Sequence, residues 1–238
     1  MTPLLIATAF AGTAPAVGHY GAELWVSSAT KTPVIGEIRG QSVSWLLVEI
    51  TDRDGQLWQQ HTTCTVELLD GTGSSRAALS PRFISSIPVR SYPVQTADGY
   101  RADIGLEHVG YDPTYPLPTR ADAPGVLDWD GDGNPGATVI LEIPVLGSVE
   151  MYIAQRAQIT LTGQVLASGQ VHGGLELPVM EQQTLGASVS LLNRSQPIRP
   201  LPEDSGFAML QLPEGSDCAA IKPALCQAGV ARAESCAR

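Results

Sequence analysis

The stretch "ATVILEIPVLGSVEMYIAQRAQITLTGQV", residues 137–165, decides the fold class because its apolar residues recur at every second position. Val139, Leu141 and Ile143 share one parity, and the alternation resumes after a turn signal at residues 147–148. A period of two is typical of a strand that buries one face, since successive side chains point to opposite sides of a sheet. The stretch therefore predicts two strands joined by a turn.

A hairpin is predicted nearer the start of the chain. Residues 42–50 and 56–69 both alternate, and the Asp-Gly pair at 54–55 favours the positive φ angles of a tight turn. On the second strand Cys64 shares the parity of the apolar residues, so we expect it to point inward. His61 has the opposite parity, which predicts a surface histidine.

Strands with this pattern recur toward the end of the chain. Further alternating runs are "GQVHGGLELPV", "TLGASVSLL" and "FAMLQL". Strands of this length, separated by turn signals and with no helical period between them, predict an all-β fold, an antiparallel barrel or sandwich. The up-and-down strand order makes a lipocalin-like barrel the leading expectation.

Two segments are expected to be irregular and one to be helical. Three prolines within residues 81–93 exclude elements longer than a turn or a short strand, and residues 102–125 are expected to be mostly loop. The single helix candidate is the C-terminal tail, where Ser216 can cap a short helix that starts at Asp217 and that Pro223 interrupts.

The composition sets the class of protein. Of 238 residues 43% are hydrophobic, enough for the core of one large β domain. There are 24 acidic against 14 basic residues, and the formal net charge of -10 repels phosphate backbones and anionic headgroups. No apolar run approaches the roughly 20 residues that a spanning helix needs. We therefore expect no nucleic-acid partner and no membrane-spanning segment.

The first residues resemble a secretory signal peptide, predicted over residues 1–16. An apolar stretch is followed by Ala14-Pro15-Ala16, the small residues of a cleavage site, although the first basic residue is Lys31. The alternative is an N-terminal β-strand. With a signal peptide the protein would be secreted, periplasmic or extracellular.

Cysteine usage bears on the same question. The chain contains four cysteines, Cys64, Cys218, Cys226 and Cys236. They allow three connectivities, and an exported chain would form two disulfides, with Cys64 able to staple the tail to the β core. Zinc is disfavoured because the spacings are not Cys-x-x-Cys and no His lies in the tail. The predicted organisation is a β-rich domain over residues 17–212 and a disulfide-tied tail over residues 213–238.

The aspartate loop, residues 128–139, begins with "DWDGDGNPGA" and is the strongest candidate for a binding site. A chain supplies calcium with its oxygen ligands compactly when carboxylates stand at positions 1, 3 and 5 of a tight loop. Asp128, Asp130 and Asp132 occupy those positions, and Asn134 at position 7 would offer its main-chain carbonyl. The sequence predicts a Ca²⁺ site here, against the alternative of a turn that favours Asp and Gly on backbone grounds alone.

These residues resemble the calcium loops of EF-hands and the shorter loops of dockerin, thrombospondin type 3 and integrin-propeller repeats. The loop departs from them because position 12 is Val139 instead of Glu, and Pro135 prevents a helix from following. The missing carboxylate would come from Asp112, Asp122 or Glu142. Without the bidentate Glu the affinity should be weak, on the order of 10⁻⁴ to 10⁻³ M, and the ion structural rather than catalytic.

The whole chain also resembles secreted or outer-surface proteins of myxobacterial type, in which such a loop precedes a strand with Val/Ile-x-Gln-Arg. The corresponding residues here are 128–136 and 153–156. The resemblance implies no activity.

Evidence for catalysis is sparse. No Gly-x-Ser-x-Gly or HExxH motif is present, and the histidines are isolated in the sequence, His19, His61, His108 and His172. A glycosidase pair could in principle be drawn from the strand carboxylates Glu142, Glu150 and Glu176. Outward Glu on a half-solvated sheet is the more ordinary explanation.

The sequence therefore predicts a secreted, calcium-stabilised β domain acting as a non-catalytic binding or cell-surface interaction protein, with an extracellular ligand or protein as partner. The alternatives are a secreted hydrolase of a carbohydrate or other polymer with a carboxylate pair, and a lipocalin-like small-ligand carrier, although the Gly-x-Trp of that family is missing. The interior discriminates between them. A filled core indicates an interaction protein, an apolar cavity a carrier, and a cleft with two carboxylates a hydrolase.

Overall fold

A computed structural model describes residues 14–32, 36–70, 76–143 and 147–237. Residues 1–13, most of the predicted signal peptide, lie outside the described residues. In the part of the chain that is described, no helix is long and apolar enough to cross a membrane.

The described chain is mostly β-strand. The strands are β1 (Gly18–Thr32), β2 (Gly36–Arg53), β3 (Gln56–Asp70), β4 (Arg76–Leu79), β5 (Arg90–Gln95), β6 (Tyr100–Val109), β7 (Ala137–Ile143), β8 (Gly147–Val165), β9 (Val171–Ala187), β10 (Ile198–Pro200) and β11 (Gly206–Leu212). The α-helices are α1 (Pro81–Ser86), α2 (Cys218–Gln227) and α3 (Ala233–Cys236), and 3-10 turns occupy Ser190–Leu192 and Pro202–Asp204.

The strands pair antiparallel in a ring. Both β4 and β5 pair with β3, both β6 and β7 pair with β8, and both β10 and β11 pair with β1, so each of these couples is one interrupted strand. The order β1, β2, β3, β5, β6, β8, β9 and β11 then returns to β1. The prediction of an all-β antiparallel fold with a short C-terminal helix is confirmed, and the up-and-down order makes the sheet barrel-like.

The predicted hairpin is present, but one irregularity reverses the expected sides of β3 as far as Cys64, while Val66 and Leu68 line the interior as predicted. Its turn has the positive φ angles expected of the Asp-Gly pair at 54–55, 55° and 83°. Trp45 pairs with Thr65 and the next residue of β2 pairs with Thr63, so Cys64 is an extra residue in β3. A bulge of this kind shifts the side-chain alternation by one position. His61 therefore faces the interior, and the prediction of a surface histidine is wrong.

Two segments expected to be irregular differ from the prediction. Residues 102–125 were expected to be loop, but β6 continues to Val109 and the irregular connection is residues 110–136. Helix α1 falls within the proline-rich segment. Ser80 caps it by accepting a hydrogen bond from the Phe83 N–H (3.0 Å), and Pro81 occupies the first turn, where a missing N–H costs nothing.

The tail packs on the outside of the sheet, held by two disulfides. Cys64 is bonded to Cys218, 154 residues away in sequence, so it staples the tail to the β core as predicted. Because it faces α2, it points out of the ring and not inward. The second disulfide joins Cys226 and Cys236. The helix cap is Asp217, which accepts from two backbone N–H groups, and not Ser216.

Helix α2 continues through Pro223, which was expected to interrupt it. Its disulfide at the first residue and the fully buried Ile221 and Leu225 hold the helix against the outer face of the sheet. The end of the tail is fixed by Arg232, whose side chain donates to the buried Glu23 carboxylate at 2.9 Å. The tail is therefore part of the folded domain.

The interior of the ring divides into two halves. The filled half contains large buried side chains that pack on one another, Tyr20, Val48, Ile50, Tyr100, Leu161, Phe207 and Met209. The hollow half contains a cavity. Three inward positions of β2 in the hollow half carry Gly40, Ser42 and Ser44, whereas the same face in the filled half carries Val48 and Ile50. Small inward residues leave the cavity open.

Candidate functional site

The principal candidate site is the cavity of the hollow half, with a volume of about 500 Å³. That size lies in the range of roughly 300–1,000 Å³ found for small-molecule sites. The lining is mainly apolar and comes from most strands and from α1, with Leu24, Val26, Leu46, Val66, Leu68, Phe83, Val139, Leu141, Met151, Ile153 and Leu177 among its members. The surface that the cavity offers is therefore suited to an apolar molecule.

Helix α1 completes one wall of the cavity. β4 pairs with β7 as far as Leu79, and β5 pairs with β6 only from Val94 onward. The helix lies along the chain between these pairings, and its buried Phe83 packs against Val139 and Ile153, all three of which line the cavity. A short helix thus replaces strand pairing at this part of the wall.

His61 is one of the polar residues that line this cavity. Its Nε2 atom is buried and has no hydrogen-bond partner among the described residues. The ring packs edge-on against Tyr92, with centroids 5.5 Å apart. Burial lowers the pKa of His61 to about 4, so the imidazole is neutral at physiological pH.

Among the described residues that line the cavity, Glu107 is the one that carries a carboxylate. Its Oε1 accepts from the Tyr92 hydroxyl at 3.4 Å and lies 3.7 Å from Arg90 Nη1. Burial raises the pKa of Glu107, while Arg90 and the Tyr92 hydroxyl act in the opposite direction. Burial and the Glu107 charge also raise the pKa of Tyr92. His61, Tyr92 and Glu107 together form a polar patch, and the rest of the cavity is largely apolar.

Glu107 was not predicted from the sequence because residues 102–125 were expected to be mostly loop, whereas Glu107 lies in β6 beyond a second bulge. The pairing of β6 with β8 shifts between Asp103 and Gly105, and Gly105 has a φ of 82°. Tyr100 and Ala102 face the filled half, and after the bulge the odd-numbered Glu107 faces the cavity. A glycine inside an alternating run is a recognised sign of a bulge, so the sequence did contain a signal.

The carboxylates considered for a hydrolase do not line the cavity. Glu176 pairs with Arg101 on the outer surface at 2.8 Å, Glu150 accepts from the Tyr152 hydroxyl, and Glu142 is exposed. Gln155 lines the cavity, whereas Arg156 pairs with Glu181.

The other three histidines are dispersed. His108 packs edge-on against Tyr111, His172 lies beside Gln170, and His19 stands in β1 opposite Glu49. They do not converge with His61 on the cavity.

The aspartate loop forms a second candidate site. Carboxylate oxygens of Asp128, Asp130 and Asp132 all lie within 4.8 Å of one another, an arrangement that could hold a metal ion. Asp128 accepts from the backbone N–H groups of Asp132 and Gly133, both at 3.0 Å. Asp132 accepts from the Asn134 N–H at 2.8 Å. These bonds leave further lone pairs on each carboxylate, so they do not prevent an ion from binding.

Asp130 is the buried member of the group, with 5% of its surface exposed. Its Oδ2 accepts from the Thr138 N–H at 3.3 Å, but its Oδ1 is buried without a partner in the described chain. Burial and the charges of Asp132 and Asp128 raise the pKa of Asp130. A buried carboxylate oxygen with no donor fits a cation, because a cation would satisfy it and offset the repulsion.

The distant carboxylates proposed to complete the site do not join the group. Among the described residues, the group whose side chains are close enough to share a metal ion consists of the three loop aspartates. Asp112 accepts from Thr114, and Asp122 pairs with Arg120 at 3.0 Å.

The aspartate loop is attached to α1. The Ser80 hydroxyl, the cap of α1, lies 3.5 Å from Asp130 Oδ2, and Arg82 Nη1 donates to the Gly131 carbonyl at 3.0 Å. On the other side, the Thr138 hydroxyl donates to Asp132 at 2.6 Å, directly before the cavity-lining Val139. The loop therefore braces the same wall that α1 completes.

No model of a known protein family and no curated protein matches the chain. Among solved structures, DynF from the dynemicin biosynthesis pathway of Micromonospora chersina is 12% identical over 90% of each chain, with a TM-score of 0.35. A similarity at this level supports no statement about function.

Proposed function

We propose that the protein is a non-catalytic binding protein that holds one small apolar molecule in the cavity of the hollow half. The observation that carries the proposal is the cavity itself, which has a volume of about 500 Å³ and a mainly apolar lining. Binding of an apolar molecule would remove this apolar surface from water, which is favourable. This favours the carrier over the interaction protein, whose interior would be filled.

The hydrolase is the weaker alternative. A carboxylate pair is needed on either side of a scissile glycosidic bond. Among the described residues that line the cavity Glu107 stands alone, and Arg90 and Tyr92 already contact it.

We also propose that the aspartate loop binds Ca²⁺, through the side chains of Asp128, Asp130 and Asp132 and the main-chain carbonyl of Asn134. Hard oxygen ligands suit calcium, and the unpartnered Asp130 Oδ1 supports an ion in this position. The ion would hold the loop against α1 and so stiffen the cavity wall. Its role would be structural.

Export of the protein, to the periplasm or the extracellular space, is part of the proposal. The disulfides Cys64–Cys218 and Cys226–Cys236 are characteristic of an oxidising compartment. Extracellular calcium concentrations also suit a weak site.

The binding proposal is tested by fluorescence titration with N-phenyl-1-naphthylamine, an uncharged apolar probe. We expect saturable binding at one site per chain. Ala77 lines the cavity and its neighbour Ala78 is exposed on the outer face of β4, so they form a matched pair. Ala77→Phe should weaken binding at least about tenfold because the new ring occupies the cavity, whereas Ala78→Phe should not. Absence of saturable binding to the wild type, or equal binding by both variants, would refute the proposal.

A further inference from the structure

We propose that Gln155 and Gln182 determine which molecule the cavity binds, and that this molecule is apolar except for one hydroxyl group. The hydroxyl would bridge the two side chains, because it can donate to the carbonyl oxygen of one carboxamide and accept from the NH₂ group of the other. This inference rests on the proposed binding function and specifies the class of ligand.

The two glutamines stand side by side on neighbouring strands. They are register partners in the antiparallel pairing of β8 with β9, and both line the cavity. Directly opposed residues on one face of such a pair have Cβ atoms about 4.5–5.5 Å apart. Both carboxamides can therefore reach the same polar group of one ligand.

On β8, cavity-lining residues flank the pair on both sides. Met151 and Ile153 line the cavity before Gln155, and Ala157 and Ile159 line it after Gln155. The glutamines therefore lie within the length of the cavity along this strand. A molecule that covers the apolar lining of β8 would also lie beside them.

The carboxamides of the pair are accessible and have no partner within the protein. Neither forms a side-chain hydrogen bond with another residue of the described chain. Both side chains are half-buried, and neither is among the residues with a polar atom that is sealed off and unpaired, which are Gln59, His61, Trp129 and Asp130. The amide atoms are therefore open to a molecule in the cavity. They contribute no hydrogen bond to the fold, whereas a ligand hydroxyl would satisfy both groups.

A charged end group is disfavoured beside the pair. Glu107 also lines the cavity and is the register partner of Ala157, which is two residues, about 7 Å, from Gln155 along β8. The Glu107 carboxylate would repel an anion. Because Arg90 Nη1 already lies 3.7 Å from this carboxylate, a cation would compete with Arg90 and would lose its hydration in an apolar lining. An uncharged hydroxyl avoids both penalties.

The test compares five ligands of similar length by displacement of N-phenyl-1-naphthylamine. They are decane, decanol, nonyl methyl ether, decanoate and decylammonium. We expect decanol to bind about tenfold more tightly than decane. The ether is an isomer of decanol that accepts a hydrogen bond but cannot donate one, so it should bind more weakly than decanol. Both ions should also bind more weakly than decanol.

Variants of the pair show whether the glutamines are responsible. Gln155→Leu and Gln182→Leu should each reduce the advantage of decanol over decane, and the double variant should abolish it while decane still binds. Gln158 and Gln183 are matched controls, because they belong to the same two strands and are not among the residues that line the cavity. Gln158→Leu and Gln183→Leu should bind all five ligands as the wild type does.

The outcomes separate this inference from the binding function. An unchanged decanol advantage in the double variant, equal binding of decanol and the ether, or tighter binding of either ion would overturn the inference while leaving the binding function intact. Failure of the probe and of every ligand to bind would refute the binding function itself. If the double variant does not fold, the side-chain NH₂ signals of Gln155 and Gln182 in the ¹⁵N-labelled wild type decide. They should shift more on addition of decanol than of decane, and equal shifts would overturn the inference.

Discussion

The filled half and the hollow half are built from the same strands, yet only one of them is packed. On one face of β2, Val48 and Ile50 enter the filled half, and Gly40, Ser42 and Ser44 line the hollow half. Along β2 the backbone is continuous across the boundary, so on this strand the difference is one of side-chain volume. A barrel-like sheet of this size needs large inward residues along its whole length to fill it. In the hollow half β2 carries a glycine and two serines at such positions, and the binding function proposed for this half would account for them.

The largest expected effect is that of truncating a leucine in the filled half. Leu161 is 2% exposed and belongs to the filled half, and Leu141 lines the cavity. Leu161→Ala should lower the free energy of unfolding by about 2–5 kcal/mol, because it removes contacts on all sides. Leu141→Ala should cost only about 1–2 kcal/mol, because one side of Leu141 already faces open space. Urea unfolding measures both, and equal losses would contradict the division into two halves.

The next effect is the pH dependence caused by His61. The unfolded chain binds a proton as the pH falls through 6.5, and the folded chain does so only near pH 4. The stability that the neutral His61 allows is therefore fully present above pH 6.5 and is lost between pH 6.5 and 4, by up to about 3 kcal/mol. His61→Leu should remove this part of the slope when urea unfolding is measured from pH 7 to pH 5. An unchanged slope would show that His61 is not deeply buried.

Replacing an alanine by a larger residue should give a smaller effect than truncating a leucine, and again the two halves should differ. Ala102 lies in the filled half and Ala157 lines the cavity. Ala102→Phe should destabilise by about 1–3 kcal/mol, since the filled half has no room for a ring. Ala157→Phe should change stability by less than about 1 kcal/mol and should abolish ligand binding, because the ring enters the cavity. Thermal unfolding and probe titration of both variants check this, and a strongly destabilised Ala157→Phe would argue that the cavity is not open.

The smallest effect is that of calcium on the wall of the hollow half. At a concentration about tenfold above its Kd, calcium should stabilise the wild type by roughly 1 kcal/mol, seen as a higher Tm than in chelator. Asp130→Asn should remove this difference, because it removes the buried carboxylate. Asp122→Asn should not, because Asp122 pairs with Arg120 outside the aspartate group. A wild type whose Tm is the same in calcium and in chelator would refute the calcium site.

Much of the fold could be predicted from the sequence because most of it follows from local alternation. The hairpin of β2 and β3 and the pairing of β7 with β8 appear in the sequence as period-two runs with turn signals. The parity of β3 could not be predicted, because the extra residue at Cys64 depends on how the two strands pair and has no local signal. In β6 Gly105 is a local sign of the second bulge, but this segment was expected to be loop. The start of helix α1 is indicated in the sequence by Ser80 and Pro81, a cap followed by a proline in the first turn.

The candidate sites divide in the same way. The aspartate loop is local, so its three carboxylates could be brought together from spacing alone. The cavity is not local, because residues from most strands and from α1 line it and their inward sides depend on two bulges. The contact of Arg82 with the Gly131 carbonyl spans 49 positions and is likewise invisible in the sequence. A site within one loop can therefore be predicted from residue spacing. A site lined by many strands cannot, because it depends on how the strands pair.

The most direct test of the central claim is to map the amide chemical-shift changes that decanol causes in the ¹⁵N-labelled protein. We expect changes concentrated in the hollow half, at positions such as Val66, Val139 and Met151, and little change around Tyr100 and Phe207 in the filled half. Changes confined to the outer surface or to the filled half, or no changes at saturating decanol, would contradict it.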